Sequence, residues 1–203
     1  EGRLEDFHRG LRALKTLTDG PVWLCTVTGS VLTDGGIEGI RHETFEGPHP
    51  AGLVGTHVHM LDPVHRGRTV WHIHAEDVAA VGSLVETGRL DVGRVVSLAG
   101  PIVTEPRMIQ TRIGASLTEL VEGQLHADVE ARVISGSVLC GRHAASDAVA
   151  YLGRYHHQIA CIAEDRERVF LGWMGPGNDR FSTVRAFLSG FLPGRRFPMT
   201  STT

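Results

Sequence analysis

Histidine is the residue type with the most chemical potential in this sequence, with 12 copies among 203 residues. Two HxH pairs are present, His57 with His59 and His72 with His74. If each pair lies in a strand, its two side chains point to the same face, and the pairs could offer four imidazoles to one zinc or copper ion. The opposing interpretation is a set of polar histidines in loops and at strand ends, each with one hydrogen bond. The second is favoured, because zinc sites usually include a carboxylate or thiolate, and the nearest acid, Asp62, precedes a proline in an expected turn.

The remaining reactive residues give weaker signals. His156 and His157 are neighbours, so in a strand at most one of them is buried. Cys140 lies in an apolar stretch and is expected to be an inert small hydrophobe. No G-x-S-x-G elbow, P-loop or dinucleotide fingerprint occurs. The glycine bends 135–137 and 152–154 are expected to be tight turns. The sequence therefore predicts no catalytic residue and no metal ligand, and it leaves cofactor-binding residues unassigned.

Composition excludes several classes of protein. With 20 basic and 23 acidic side chains the net charge is -3, which excludes a broadly basic nucleic-acid surface and a polybasic membrane anchor. No apolar run of 18 residues occurs, so no direct membrane span is expected. The three cysteines, Cys25, Cys140 and Cys161, are too few for a disulfide scaffold and indicate a reducing compartment.

Residues 1–100 alternate between helical and strand patterns, which is typical of a parallel or mixed sheet covered by helices. The expected helices are 3–18, a short one or a loop at 53–59, and 75–87. The expected strands are 22–27, 40–45, 68–74 and 94–99. The first helix needs a partner for its leucine stripe, most simply a sheet. The apolar run 22–27 predicts a strand buried on both faces.

From residue 101 onward the pattern changes to strand, short helix and strand, as in a β-grasp module. Strands are expected at 107–112 and 131–137, around a helix that begins near Ser116. Ser116 and Glu119 form a capping box. A hairpin is expected from strands 157–163 and 169–174, with the charged turn 164–168 between them. Ser182 is expected to cap a last helix over 183–192.

Several stretches, in chain order, resemble the A subunit of the bacterial sodium-translocating NADH:quinone oxidoreductase. They include EGPHPAGL (46–53), RVVSLAGP (94–101), GASL (114–117), ISGSVL (134–139), YLGRYH (151–156) and the final MTSTT. No single motif is specific, but together they cover nearly the whole chain. His49, His57, His59 and His156 fall in matching stretches, whereas His65, His72, His74 and His157 do not, which further weakens the four-histidine site.

The resemblance implies a fold and a role. The expected fold is α/β plus α+β: residues 1–100 are the later part of a Rossmann-like domain similar to the flavin subunit of complex I, and residues 101–203 are a β-grasp (soluble-ligand-binding) module with following strands and a helix. An N-terminal domain and a C-terminal tail of the family are expected to be missing. The family works on the cytoplasmic side of the inner membrane, attached through partner subunits, chiefly the membrane-embedded B subunit.

The resemblance also implies the cofactors. The whole complex uses NADH, flavins, an iron–sulfur centre and ubiquinone, whereas the A subunit carries no redox centre and supports ubiquinone reduction. Two alternatives remain open: a stand-alone metal-dependent hydrolase that uses the HxH pairs, and a small-ligand-binding module. If quinone contacts this chain, a pocket at the domain junction is the expected place. Its candidate walls are Trp71, Phe170 and Trp173, although core packing is the favoured role for these three.

Overall fold

The computed structural model describes residues 3–166, 170–181, 184–193, 197 and 200–201. These residues form two compact units, the first up to Val92 and the second from Gly93 onward. Both units combine helices with a β-sheet, so the α/β character expected from the sequence is present in each.

The described residues of the first unit form three helices and a two-stranded sheet. Helix α1 spans Leu4–Lys15, α2 Val54–Leu61 and α3 Ala75–Thr87. Strands β1 (Val22–Thr26) and β2 (Ile40–Thr44) pair in parallel. The expected strand 68–74 is wrong: residues 69–74 carry no strand pairing and lead directly into α3. The segment is rich in residues that favour strands, but among the described residues no strand pairs with it.

The core of the first unit lies where α1 meets α3 and the sheet. Phe7 and Leu11 of α1 share one apolar cluster with Leu24 of β1, Ile40 of β2 and Val78 of α3. The leucine stripe of α1 therefore packs on both a helix and strands, whereas the sequence indicated a sheet alone. The prediction that β1 is buried on both faces is wrong, because Leu24 is its one buried residue.

The described residues of the second unit form a five-stranded mixed sheet. Its strands are β3 (Gly93–Ala99), β4 (Arg107–Arg112), β5 (Ala131–Ser135), β6 (Arg142–His143) and β7 (Gln158–Ala163), in the order β4-β3-β7-β5-β6. β3 and β7 run parallel at the centre, and the other pairings are antiparallel. This arrangement is compatible with the β-grasp module expected here. β3 thus pairs inside the second unit, although its sequence position suggested the first sheet.

Helix α4 (Leu117–Val121) covers one face of this sheet. Its fully buried Leu117 joins Val96 and Leu98 of β3 and Ile159 of β7 in one core. The expected cap is present, since the Ser116 hydroxyl accepts a hydrogen bond from the backbone N–H of Glu119. β7 is buried over four successive residues, and its Ala160 and Ile162 form a second apolar cluster with Ile134 of β5.

The C-terminal part differs most from the sequence prediction. Residues 170–174, expected to be a strand, form a turn and a 3-10 helix (Gly172–Met174), and Leu171 adopts a left-handed backbone with φ +50° that cannot continue a strand. Arg185 has the same left-handed φ, so the expected helix 183–192 is wrong over 184–192, where only the 3-10 helix Leu188–Phe191 forms. Val169, the turn residues 167–168 and the Ser182 cap lie outside the described residues.

Candidate functional site

The two glycine bends, far apart in sequence, meet at His156. Ser135 ends β5, and its hydroxyl oxygen lies 2.6 Å from Nδ1 of His156. The backbone N–H of Gly153 donates to the same hydroxyl oxygen at 2.9 Å. One serine therefore joins both bends and holds the imidazole.

The tautomer of His156 follows from the burial of Ser135. This serine is completely buried, and its hydroxyl oxygen already accepts the N–H of Gly153. A buried hydroxyl proton needs an acceptor, and among the described residues Nδ1 of His156 is the one within reach. Ser135 thus donates to Nδ1, so the proton of the neutral imidazole lies on Nε2.

Glycines at three positions make room for this arrangement. A Cβ on Gly153 would lie 2.5 Å from Nδ1 of His156, and a Cβ on Gly136 would lie 3.0 Å from Cδ2 of the same ring. A Cβ on Gly141 would lie 2.6 Å from the carbonyl oxygen of Ser135. Gly136 also has a φ of +96°, which side chains rarely adopt. Gly136 and Gly153, which the sequence predicted to lie in tight turns, therefore leave room for the imidazole ring of His156.

The surroundings keep the imidazole neutral. Burial lowers the pKa of His156 below its ordinary value, and the positive charge of Arg142 and the neighbouring His157 lower it further. Arg142 is anchored at the site, because its guanidinium donates to the carbonyl oxygen of Tyr151 at 3.0 Å. A hydrogen bond donated to Nδ1 also disfavours protonation there. His156 is therefore a neutral hydrogen-bond donor at neutral pH.

Exposed large side chains follow both bends in the sequence. Leu139 after the first bend is 91% exposed, and Tyr155 after the second is 72% exposed. The Arg154 guanidinium lies 6.0 Å from the centre of the Tyr155 ring. Cys140 is exposed as well, with its Sγ 3.0 Å from the Ser137 hydroxyl, so the prediction of an apolar environment for Cys140 is wrong.

The geometry limits the chemistry that this site can perform. Ser135 cannot act as a nucleophile, because it has no exposed surface. Nε2 of His156 carries a proton, so His156 is poorly suited to accept one from a ligand. The site can donate a hydrogen bond to an oxygen atom and can place a positive charge nearby through Arg142.

Two family models match the chain in the order of its two units. The model described as NqrA second alpha/beta domain matches residues 1–90, and the model described as NQRA C-terminal domain matches residues 95–146. Together the two matches cover more than half of the chain. The chain belongs to the NqrA family. The family resemblance stated from the sequence motifs is thereby confirmed.

Sequences of relatives align with nearly the whole of this chain. It is 50% identical over 201 residues to the A subunit of the Na(+)-translocating NADH-quinone reductase of Rhodopirellula baltica, and 50% identical over 199 residues to that of Vibrio anguillarum. The corresponding protein of Hahella chejuensis is 46% identical over 198 residues. These alignments include 98–99% of this chain and 44% of each relative, so this NqrA chain spans less than half the length of the relatives it matches.

The four histidines of the HxH pairs are not brought together in this NqrA chain. His57 and His59 lie in helix α2, where a spacing of two directs side chains to different faces. His57 packs on Phe45 with ring centres 4.1 Å apart and hydrogen-bonds the Ala51 carbonyl at 2.8 Å. Across the described part of the chain, no group of three or more His, Cys, Asp or Glu side chains could hold a metal ion.

Two of the three aromatic residues named as candidate pocket walls are exposed, although core packing was the favoured role. Trp71 and Phe170 are each 90% exposed, so core packing is wrong for both. The side chain of Trp173 lies outside the described residues. In the described part of the chain, every helix falls short of the length and hydrophobicity that a membrane span requires.

Sequence reasoning missed the Ser135–His156 pair. The signal that could have indicated it was the glycine in each bend, Gly136 in 135–137 and Gly153 in 152–154. Glycine by itself does not show which side chain approaches it, and the sequence separation of 21 positions between Ser135 and His156 hid the contact.

Proposed function

We propose that this chain is part of the A subunit of a sodium-translocating NADH:quinone reductase, where it supports reduction of the quinone without carrying a redox centre. The observation that carries the proposal is identity of 50% over 99% of the chain to a protein of that name, with both NqrA domain models matched in order. In this proposal residues 1–100 are the later part of a Rossmann-like domain, and residues 101–203 are a β-grasp module with its following segments.

The proposed position is the cytoplasmic face of the bacterial inner membrane, attached through other subunits and chiefly through the membrane-embedded B subunit. Exposed large apolar side chains support a docking role, because isolated soluble surfaces seldom leave such groups fully in water without a binding partner. The most exposed are Trp71 in the first unit, and Leu139 and Phe170 in the second.

The test uses the assembled complex and the isolated chain. The purified chain should show no flavin absorbance and no NADH oxidation, and a complex that lacks it should lose quinone reduction. Restoring the missing subunit should restore quinone reduction. A stoichiometric flavin spectrum in the purified chain, or full quinone reduction in its absence, would contradict the proposal.

A second candidate function is binding of a small ligand by the second unit. The specific observation in its favour is the neutral His156 donor, held by Ser135 beside Arg142. A thermal shift series with quinones and unrelated small ligands separates a receptor from a pure scaffold, because a ligand that binds only the folded state raises Tm. The metal-dependent hydrolase is not retained, since the HxH pairs do not assemble.

A further inference from the structure

Strand β4 (Arg107–Arg112) lies at one end of the five-stranded sheet, so only one of its two edges is paired. Its register with β3 is continuous over all six of its residues. Among the described residues no strand lies beyond β4. A regular edge of this length is a template on which another strand can pair.

The direction of the free backbone groups of β4 follows from a bond on the other side of β3. The N–H of Ser97 donates to the carbonyl oxygen of His157, so the backbone groups of Ser97 point toward β7. Backbone groups alternate in direction along a strand, and Ser97 lies opposite Met108. Met108 therefore points its N–H and C=O away from β3, and so does Gln110. In the described part of the chain, neither N–H has a hydrogen-bond partner.

The side chains of β4 leave this edge accessible. Natural proteins block strand addition with lysine or proline inside the edge strand, with a bulge, or by keeping the strand very short. Residues 108–111 contain no charge and no proline, and they pair with β3 in an unbroken register. Met108 is 63% exposed, whereas Ile109 packs against the core of the second unit. The strand is therefore fixed on one side and open on the other.

The charges at the ends of β4 indicate the kind of strand that fits this edge. Arg107 and Arg112 are both exposed, and β4 contains no acidic residue. Among the described residues neither guanidinium forms an ion pair. A strand with acidic side chains near both ends would place opposite charges across the pairing, which is stabilising. A second copy of β4 would instead add two further arginines and no carboxylate.

A cavity of about 410 Å³ lies at the carboxyl end of this edge, between β4 and α4. Thr111 and Arg112 line it from β4, and Ala115, Ser116, Glu119 and Leu120 line it from the side of α4. When a peptide adds to a sheet edge, main-chain hydrogen bonds supply the affinity, and pockets for alternate side chains supply the selectivity. The cavity is such a pocket for one side chain of an added strand.

We propose that the outer edge of β4 binds an extended segment of a partner protein as an additional strand, with acidic side chains of that segment meeting Arg107 and Arg112. The main-chain contacts are made by the outward N–H and C=O groups of Met108 and Gln110. The inference goes beyond the proposed function and does not depend on it, because it involves neither the quinone nor electron transfer.

The experiment measures hydrogen–deuterium exchange of the intact protein, with the peptide Ac-Glu-Thr-Val-Thr-Val-Glu-NH2 as the probe. Without peptide, the N–H groups of Met108 and Gln110 should exchange rapidly. With peptide, we expect their exchange to slow at least tenfold, whereas the N–H of Ile109, which already faces β3, should change less. The same peptide with N-methyl groups at alternate positions cannot pair and should give no protection. A peptide with lysine in place of both glutamates should bind at least tenfold more weakly.

Two variants separate strand addition from loss of folding. Gln110→Pro removes one outward N–H and leaves the N–H groups that pair with β3, so a folded protein should lose the peptide. R107E/R112E should weaken binding of the glutamate peptide and strengthen binding of the lysine peptide, each at least tenfold, and misfolding cannot produce this exchange of preference. R66E, at an exposed position of the first unit, is the matched control and should bind as the parent does.

Three results would overturn the proposal. The first is equal binding of the glutamate and lysine peptides, and the second is protection that Gln110→Pro leaves unchanged. The third is slow exchange of Met108 and Gln110 before peptide is added, which would show that the edge is already paired. That pairing would be with a second copy if the protection rises with protein concentration, and with another segment of the same protein if it does not. None of these results depends on quinone reduction by the complex, so the proposed function and this inference can fail separately.

Discussion

Gly82 of α3 lies directly against Gly10 of α1, with the position of a Cβ on Gly82 only 2.8 Å from the backbone nitrogen of Gly10. The same Cβ would overlap the carbonyl oxygen of Asp6, and a Cβ on Gly10 would overlap the carbonyl oxygen of Val78. The two helices therefore pack backbone to backbone, and this close approach brings Phe7 and Leu11 onto the core of the first unit.

Replacing Gly82 by alanine should destabilise the first unit. Alanine favours a helix by up to about 1 kcal/mol, but overpacking against backbone costs about 1–3 kcal/mol or more, so we expect a net loss of about 2 kcal/mol. Chemical denaturation of G82A and of the parent protein measures this loss of stability. Gly55→Ala is the matched control, because the glycine lies in helix α2 with no atom within 4 Å of its Cβ position, and it should be neutral or slightly stabilising.

His156 should stay neutral at pH values where an ordinary histidine begins to protonate. Because its pKa is lowered in the folded state, the unfolded chain binds the proton more readily, and the free energy of unfolding should fall as the pH drops through about 6.5. A ¹⁵N titration of the ring and denaturation at pH 7.5 and 5.5 check this. The pH dependence should be smaller in H156Q, and an unchanged slope in that variant would contradict the assignment.

The Arg132–Glu164 pair should make the free energy of unfolding depend on pH in a range below that of His156. Arg132 donates two hydrogen bonds to the Glu164 carboxylate at 2.6 and 2.7 Å, and this pairing, together with a hydrogen bond from the Ser201 hydroxyl, lowers the pKa of Glu164 to about 2. The stabilisation is present above the ordinary carboxylate pKa and is lost as the pH falls from about 4.5 to about 2.

E164Q should flatten that part of the stability curve. The control is Glu122→Gln, at an exposed position of the same unit. Denaturation midpoints at pH 6, 4 and 2.5 give the comparison. Equal acid sensitivity of the parent and of E164Q would show that other carboxylates set the acid limit.

The cap of α4 should contribute measurably to the second unit. Ser116 accepts the Glu119 N–H at 3.3 Å, and loss of an N-cap serine costs about 1 kcal/mol. S116A should lower the free energy of unfolding by about that amount. Thr118→Ala, at an exposed position inside the same helix, should change it by less, and the reverse order would argue against the cap.

Local patterns predicted the elements whose stability depends on neighbours in sequence. The strand 107–112 was predicted with its observed ends, and α1, α3, β3 and the Ser116 cap were found close to their expected positions. Periodicity and capping residues carry this information within one turn or one strand. The strand expected at 68–74 and the helix at 183–192 failed because periodicity does not reveal whether a pairing strand or a packing face exists.

By itself the sequence determined the family, since many weak motifs in one order identify NqrA, and it determined which segments can be helices or strands. Only the tertiary structure decided that β3 pairs with β7, that the HxH pairs lie apart, and that Ser135 holds His156. These are contacts between residues far apart along the chain. Their geometry depends on the order of strands in the sheet and on which glycines allow another residue to approach closely. Neither property can be predicted from local composition.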